Sequence, residues 1–144
     1  MANGISANTS LRILNLKGNI LGDDGTFHLV SALQGNETIR ELNIGVNEIG
    51  PLGASSIAEV LPMTSITNLN ISKNFLGDEA LINFANSVCN EDLGCKLKYA
   101  DFSSCRLNDR GVEYFFQMIE SNKHLTHIKM NDNFISERLE DRLL

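Results

Sequence analysis

One eleven-residue pattern occurs five times in this chain, and no other feature limits its fold so narrowly. It reads LRILNLKGNIL from Leu11, IRELNIGVNEI from Ile39, ITNLNISKNFL from Ile66, LKYADFSSCRL from Leu97 and LTHIKMNDNFI from Leu125. Each copy runs apolar-x-x-apolar-x-apolar-x-x-Asn/Cys-x-apolar, with Ala100 its weakest member. The starts lie 28, 27, 31 and 28 residues apart. A chain with such a period stacks one structural unit on the next, because a single unit cannot bury its apolar face alone.

The two halves of each unit have different periodicities. Leu14-Asn15-Leu16-Lys17 alternates apolar and polar, which is the period of a strand. The second half carries apolar residues 4, 5 and 8 places after a small one: Gly25, Leu29, Val30, Leu33, then Gly53, Ile57, Ala58, Leu61. Ala80, Phe84, Ala85, Val88 and Gly111, Phe115, Phe116, Ile119 repeat the spacing. Those offsets draw one stripe along a helix. Each unit is therefore a short strand followed by a helix.

On these five copies the chain resembles the leucine-rich repeat family, in the long ribonuclease-inhibitor-like class of about 28 residues. The resemblance covers residues 8–144. It implies an α/β fold, a right-handed solenoid in a horseshoe arc, with five parallel strands on the concave side and helices on the convex side. Residues 1–144 are then a single domain, with repeats starting at about 11, 39, 66, 97 and 125 and a short lead-in over 1–10. Leu14, Leu42, Leu69, Ala100 and Ile128 should stack in one core column. Leu16, Ile44, Ile71, Phe102 and Met130 should form the next. Asn19, Asn47, Asn74, Cys105 and Asn133 follow the strands, where buried backbone groups lie outside the sheet ladder and need partners. An amide supplies both donors and an acceptor, so this row should bridge adjacent coils; the thiol of Cys105 bonds more weakly.

The paired carboxylates of LGDDG suggest a metal site until they are aligned with their equivalents IGPLG, LGDEA, LNDRG and ISERL. Gly22, Gly50, Gly77, Asn108 and Ser136 then read as helix N-caps. Asp23, Pro51, Asp78, Asp109 and Glu137 read as first helical residues, where Pro is tolerated and acids favour the helix dipole. Pro51 cannot ligate a metal through its side chain but can start a helix, so helix initiation covers all five copies.

Strand residues pointing away from the core should line the concave face in three columns. These are Ile13, Glu41, Asn68, Tyr99, His127; Asn15, Asn43, Asn70, Asp101, Lys129; and Lys17, Gly45, Ser72, Ser103, Asn131. The three aligned asparagines are expected to bond along the sheet as a ladder. Tyr99, Asp101, His127 and Lys129 bring an aromatic ring, both charges and an imidazole into one patch. With Glu41 and Lys17 they are the candidate partner-binding residues, since aromatic and charged anchors on a rigid surface suit a protein interface. No catalytic residue is assigned, because His127 has no Ser or Cys at a recognisable catalytic spacing and Cys105 belongs to the scaffold. Phe27, Ile82 and Tyr114 should face outward or sideways on the helices, packing between them or offering a second apolar contact patch.

The formal charge of −6 comes with no clustered Lys or Arg run, which argues against nucleic acid as a partner. No apolar run reaches the roughly 20 residues of a membrane span. MANGISANTS lacks the features of a signal peptide. Cys89, Cys95 and Cys105 fit no metal spacing and read as reduced thiols in a cytoplasmic protein, a Cys89–Cys95 disulfide being the alternative. The three extra residues of the fourth interval fall in the helix-to-strand loop at 90–96. Glu137 opens a shortened, charged last helix whose Leu139 and Leu143 can reach the core. At the other end the first strand follows the lead-in almost at once, so the chain is either part of a longer one or its N-terminal edge is covered, for example in a homodimer.

The resemblance implies a non-enzymatic protein–protein interaction module that uses its concave face and needs no cofactor or metal. Two alternatives stand beside it: a GTPase-activating protein of the Ran-type leucine-rich-repeat class, and a fragment of a larger NOD-like-receptor-type sensor. A short array and the lack of a long acidic tail weigh against the first.

Overall fold

Alternation in each copy becomes a three-residue strand, and the apolar stripe after it becomes the helix that covers one side of that strand. The structure is a computed structural model and describes residues 2–142. In chain order its elements are α1 (Ala2–Ala7), β1 (Ile13–Asn15), α2 (Gly22–Gln34), β2 (Glu41–Asn43), α3 (Pro51–Val60) and β3 (Asn68–Asn70). There follow α4 (Gly77–Cys89), β4 (Tyr99–Asp101), α5 (Asp109–Ile119), β5 (His127–Lys129) and α6 (Glu137–Glu140). Single 3-10 turns at Leu61–Met63 and Glu91–Leu93 carry the chain out of α3 and α4.

The strands form one parallel sheet in the order β1-β2-β3-β4-β5, with each helix packed on the next. Leu14, Leu42, Leu69, Ala100 and Ile128 stand side by side, in the register given by aligning the copies. Leu42, Leu69 and Ala100 are buried, while Leu14 and Ile128 in the end coils are only partly covered. Ala100 leaves room in its column, and the fourth coil compensates with aromatic packing. The Phe102 ring meets Phe84 and Phe115 edge-on, at centroid distances of 5.1 and 5.9 Å. Leu139 is buried as expected; Leu143 lies outside the described residues.

The asparagine row bridges coils as the sequence implies. Asn74 Oδ1 accepts the N–H groups of Asn47 and Ile49 in the preceding coil, both at 3.0 Å. Its Nδ2 donates to the carbonyls of Ile44 and Ile71 at 3.0 and 2.8 Å. Asn47 and Asn133 repeat the arrangement. Cys105 has only its Sγ–H, which donates weakly to the carbonyls of Ile71 and Ser103 at 3.4 and 3.5 Å. Just before each of these residues the backbone turns through the left-handed region, at Gly18, Val46, Lys73, Ser104 and Asp132.

The lead-in, to which the sequence reading gave no secondary structure, contains a helix, Ala2–Ala7, that packs on α2 and buries Ile5. Buried Asn36 holds it there, donating from Nδ2 to the carbonyls of Ile5 and Asn8 at 2.8 and 3.0 Å. It extends the helical layer only; among the described residues β1 pairs with β2 alone, and Ile13 is 58% exposed.

The helix starts correct an expectation. Gly50, Asn108 and Ser136 do precede their helices in extended backbone, but no side chain of theirs caps them. Gly22 and Gly77 are instead the first residues of α2 and α4, with φ of +57° and +68°. The capping group comes from the coil before. Asp23 Oδ1 accepts the N–H groups of Gly50 and Gly53 at 2.8 and 2.9 Å, which caps α3. Asp78 caps α5 through Asn108 N–H at 2.8 Å, and Asp109 caps α6 through Ser136 N–H at 2.7 Å. A Cβ on Gly53 or Gly111 would stand 2.6 Å from the carboxylate oxygen of Asp23 or Asp78. Pro51 has no carboxylate to offer, and the matching place in the next coil is Ala80.

Candidate functional site

The concave columns form as aligned. Tyr99 neighbours Asn68 and His127 across the sheet, and Asp101 neighbours Asn70 and Lys129. Because parallel strands lie about 4.8 Å apart, these side chains are held as a fixed array rather than on a mobile loop. The Lys129 ammonium stands over the Tyr99 ring, 5.8 Å from its centroid. His127 Nδ1 and the Thr126 hydroxyl are 2.9 Å apart, within hydrogen-bond distance.

The asparagine ladder expected in the central column is absent. Asn15, Asn43 and Asn70 each turn the Oδ1 back to their own chain, accepting the N–H two residues on at 3.1, 3.1 and 3.0 Å. Asp101 does the same with Ser103 at 3.0 Å. The backbone leaving each strand has donors that the next strand does not meet, and a side chain two residues back reaches them first. The one contact along the column is a long one, Asn70 Nδ2 to Asp101 Oδ2 at 3.5 Å.

Two hollows flank Tyr99. The first, about 260 Å³, lies on the concave face among Ile13, Glu41, Asn43, Asn68, Asn70 and Tyr99. Glu41 thus shares a surface with Tyr99, whereas Lys17 lies outside both hollows, exposed at the strand exit of the first coil. The second, about 540 Å³, opens at the last coil, where Tyr99, His127 and Lys129 meet the apolar side chains of Phe116, Ile119 and Ile128. Arg142 closes it from the far side, its guanidinium 5.1 Å from the Phe116 centroid and paired with Glu120 at 3.3 Å. Sequence alignment could not bring Phe116 and Ile119 to this patch, because their repeat position marks them as core. Phe116 is in fact buried and Ile119 half-buried, and they form the floor of the hollow, which no sixth coil among the described residues covers.

The thiols are poor nucleophiles. Burial raises the Cys105 pKa to about 11, and burial also raises those of Cys89 and Cys95. Among the described residues no three of His, Cys, Asp and Glu gather to hold a metal ion, and no helix is long and apolar enough to cross a membrane. Phe27 is exposed, while Tyr114 lies between helices and donates its hydroxyl to Asn86 Oδ1 at 2.7 Å.

Comparison with known proteins gives the same architecture. A family profile described as Leucine Rich repeat matches residues 7–27 and 35–58. The human NACHT, LRR and PYD domains-containing protein 14 is 30% identical over 134 residues, covering 90% of this chain and 12% of that protein. RAN GTPase-activating protein 2 of Arabidopsis thaliana is 30% identical over 119 residues, covering 81% of this chain and 22% of that protein. Pig (Sus scrofa) ribonuclease inhibitor is 28% identical, over 92% of this chain and 29% of its own length. The chain therefore spans less than a third of each of these relatives. Among solved structures, the tropomodulin C-terminal domain of Caenorhabditis elegans superposes with a TM-score of 0.81 at 19% identity, over 99% of this chain and 86% of that one. Leiomodin-1 Actin-Binding Site 2 gives 0.84 at 14% identity, over 99% and 84%. With five in-register strand–helix coils bridged by the Asn row, the chain belongs to the leucine-rich repeat proteins, in their ribonuclease-inhibitor-like class.

Proposed function

We propose that the chain is a non-enzymatic, cytoplasmic protein-binding module whose partner seats on the concave face around Tyr99. The observation that carries this reading is the position of that ring, between two hollows and under the Lys129 ammonium. An aromatic side chain held between an apolar cleft and a polar one, with a cation on its face, offers a partner both buried area and orientation. Asp101 and His127 flank it on the same rigid strands, and Glu41 extends the surface across β2 and β3. Lys17, exposed and outside both hollows, is the most peripheral member of the proposed surface.

The test is comparative capture. Wild-type chain and the double variant Tyr99→Ala, Lys129→Glu are used as baits in the same native extract. The partner should be enriched by the wild type and lost by the variant; an identical set from both moves the site off this face. The alternative role, activation of a Ran-like GTPase, rests on the likeness to the Arabidopsis protein and on nothing in the concave patch. Unstimulated GTP hydrolysis across candidate GTPases removes it. Pairing of two copies through the open β1 edge is a separate proposal, and light scattering from a monomer at high concentration contradicts it.

A further inference from the structure

One lip of the solenoid carries four cations that form no ion pair among the described residues. The residue before each strand is Arg12, Arg40, Thr67, Lys98 or Thr126, and the backbone locks these into a row. Arg40 N–H donates to the Arg12 carbonyl at 2.8 Å, Thr67 to Arg40 at 2.8 Å, Lys98 to Thr67 at 2.8 Å and Thr126 to Lys98 at 2.9 Å. Beside Lys98 lies a depression of about 460 Å³ lined by Thr67, Gly94, Cys95, Lys96, Lys98 and His124, with no carboxylate. The longer loop of the fourth coil builds its wall with Gly94, Cys95 and Lys96.

The charge pattern of the whole chain gives this lip its meaning. With 18 acidic and 12 basic residues, carboxylates are in excess, and the helical side uses them. There Arg110, Arg138 and Arg142 pair with Glu79, Glu113 and Glu120 from neighbouring coils. On the lip, Arg12, Arg40, Lys96 and Lys98 form no ion pair among the described residues. The Arg12 and Arg40 guanidinium groups donate only to the carbonyls of Ser10 and Glu37, at 3.3 and 2.9 Å. Glu37 and Glu91 occupy the same turns without reaching ion-pairing distance. All four cations are exposed.

We infer that this lip binds an extended acidic segment, rich in Asp and Glu, of a protein partner, at a site distinct from the concave face. Three strand spacings separate Arg12 from Lys98, roughly 14 Å, which about four extended residues span. One carboxylate then enters the depression between Lys96, Lys98 and His124, and others meet Arg40 and Arg12. Charge-assisted hydrogen bonds from guanidinium and ammonium groups supply the attraction. A nucleic acid fits less well, because the depression offers one imidazole, His124, and no series of aromatic rings on which successive bases could stack.

The experiment measures fluorescence anisotropy of a labelled deca-glutamate peptide on the intact chain at about 50 mM salt, with deca-glutamine and a single-stranded oligonucleotide as competing probes. Deca-glutamate should bind, weaken as salt rises, and lose at least tenfold in affinity in Lys96→Glu, Lys98→Glu. The neutral pair Lys96→Gln, Lys98→Gln should fall between, with circular dichroism unchanged in both. Lys73→Glu, on the opposite edge, changes net charge per site equally and should keep binding within twofold. Equal binding of deca-glutamate and deca-glutamine, tighter binding of the oligonucleotide, or equal losses from Lys73→Glu and a single lip reversal would each overturn the inference.

Discussion

At the scale of single residues, the energetics concentrate in amides rather than in the exposed charges. Asn74 satisfies two N–H groups of the coil before it and two carbonyls, all buried. Asn19 has the same place in the first coil, but donates only to Leu16 and Lys17 of its own coil. Leaving buried backbone groups unpaired costs about 1–3 kcal/mol each. Asn74→Ala should therefore destabilise by roughly 3 kcal/mol or more in urea unfolding, and Asn19→Ala by about 1 kcal/mol. Equal losses would show that the bridges between coils contribute little. Asp109 adds a pH dependence. The Ser136 backbone and side-chain hydrogen bonds hold its carboxyl below the ordinary Asp value. A carboxylate with a depressed folded pKa stabilises above its unfolded value, about 3.9, and that contribution is lost as pH falls through the folded pKa. Asp109→Asn should lower the urea midpoint at pH 7 and lower it less at pH 2. A difference of the same size at both pH values would contradict the assignment.

At the scale of elements, strands and helices were legible because their signals are local. Alternation around Leu14 and the stripe Phe84, Ala85, Val88 each lie within a dozen residues, and five copies fix the alignment. What was illegible joins distant residues or depends on a choice the side chain makes. Asn15, Asn43 and Asn70 could bond across strands or to their own backbone, and only geometry decides. Asp23 looked like a first helical residue of α2, yet it caps α3 from about 27 residues away in sequence. Helix α1 carries too few apolar residues to draw a stripe, and its place is set by Asn36. The Asp–Gly pairing between coils makes a double-mutant prediction. Gly53→Ala should destabilise by about 1–2 kcal/mol because its Cβ collides with the Asp23 carboxylate. Asp23→Ala should cost about 1 kcal/mol for the lost cap. The double variant should cost less than the sum of the two, and strict additivity in urea unfolding would contradict the contact. Asp24 has no such partner, so Asp24→Ala should be neutral within about 0.5 kcal/mol.

At the scale of the whole molecule, stacking makes a rigid scaffold from repeated local units, with nearest-neighbour interfaces carrying the stability. The scaffold residues recur in every coil, whereas the exposed ones vary, so the fold was readable and the partner was not. The patch of Tyr99, Asp101, His127 and Lys129 followed from column alignment alone. Its apolar floor did not, because buried Phe116 and half-buried Ile119 sit at core positions of the repeat and line the hollow only where, among the described residues, no further coil packs on them. The lip cations were scattered in sequence at intervals of a repeat and became a row only when the coils stacked. The central claim is that the concave face around Tyr99 seats a protein partner. Hydroxyl-radical footprinting of the chain, alone and with its captured partner, tests it most directly. Protection should concentrate on Tyr99 and His127 while Phe27 and Tyr114 on the helical side stay as reactive as in the free chain. Protection confined to Phe27 and Tyr114, with Tyr99 and His127 unchanged, would contradict it.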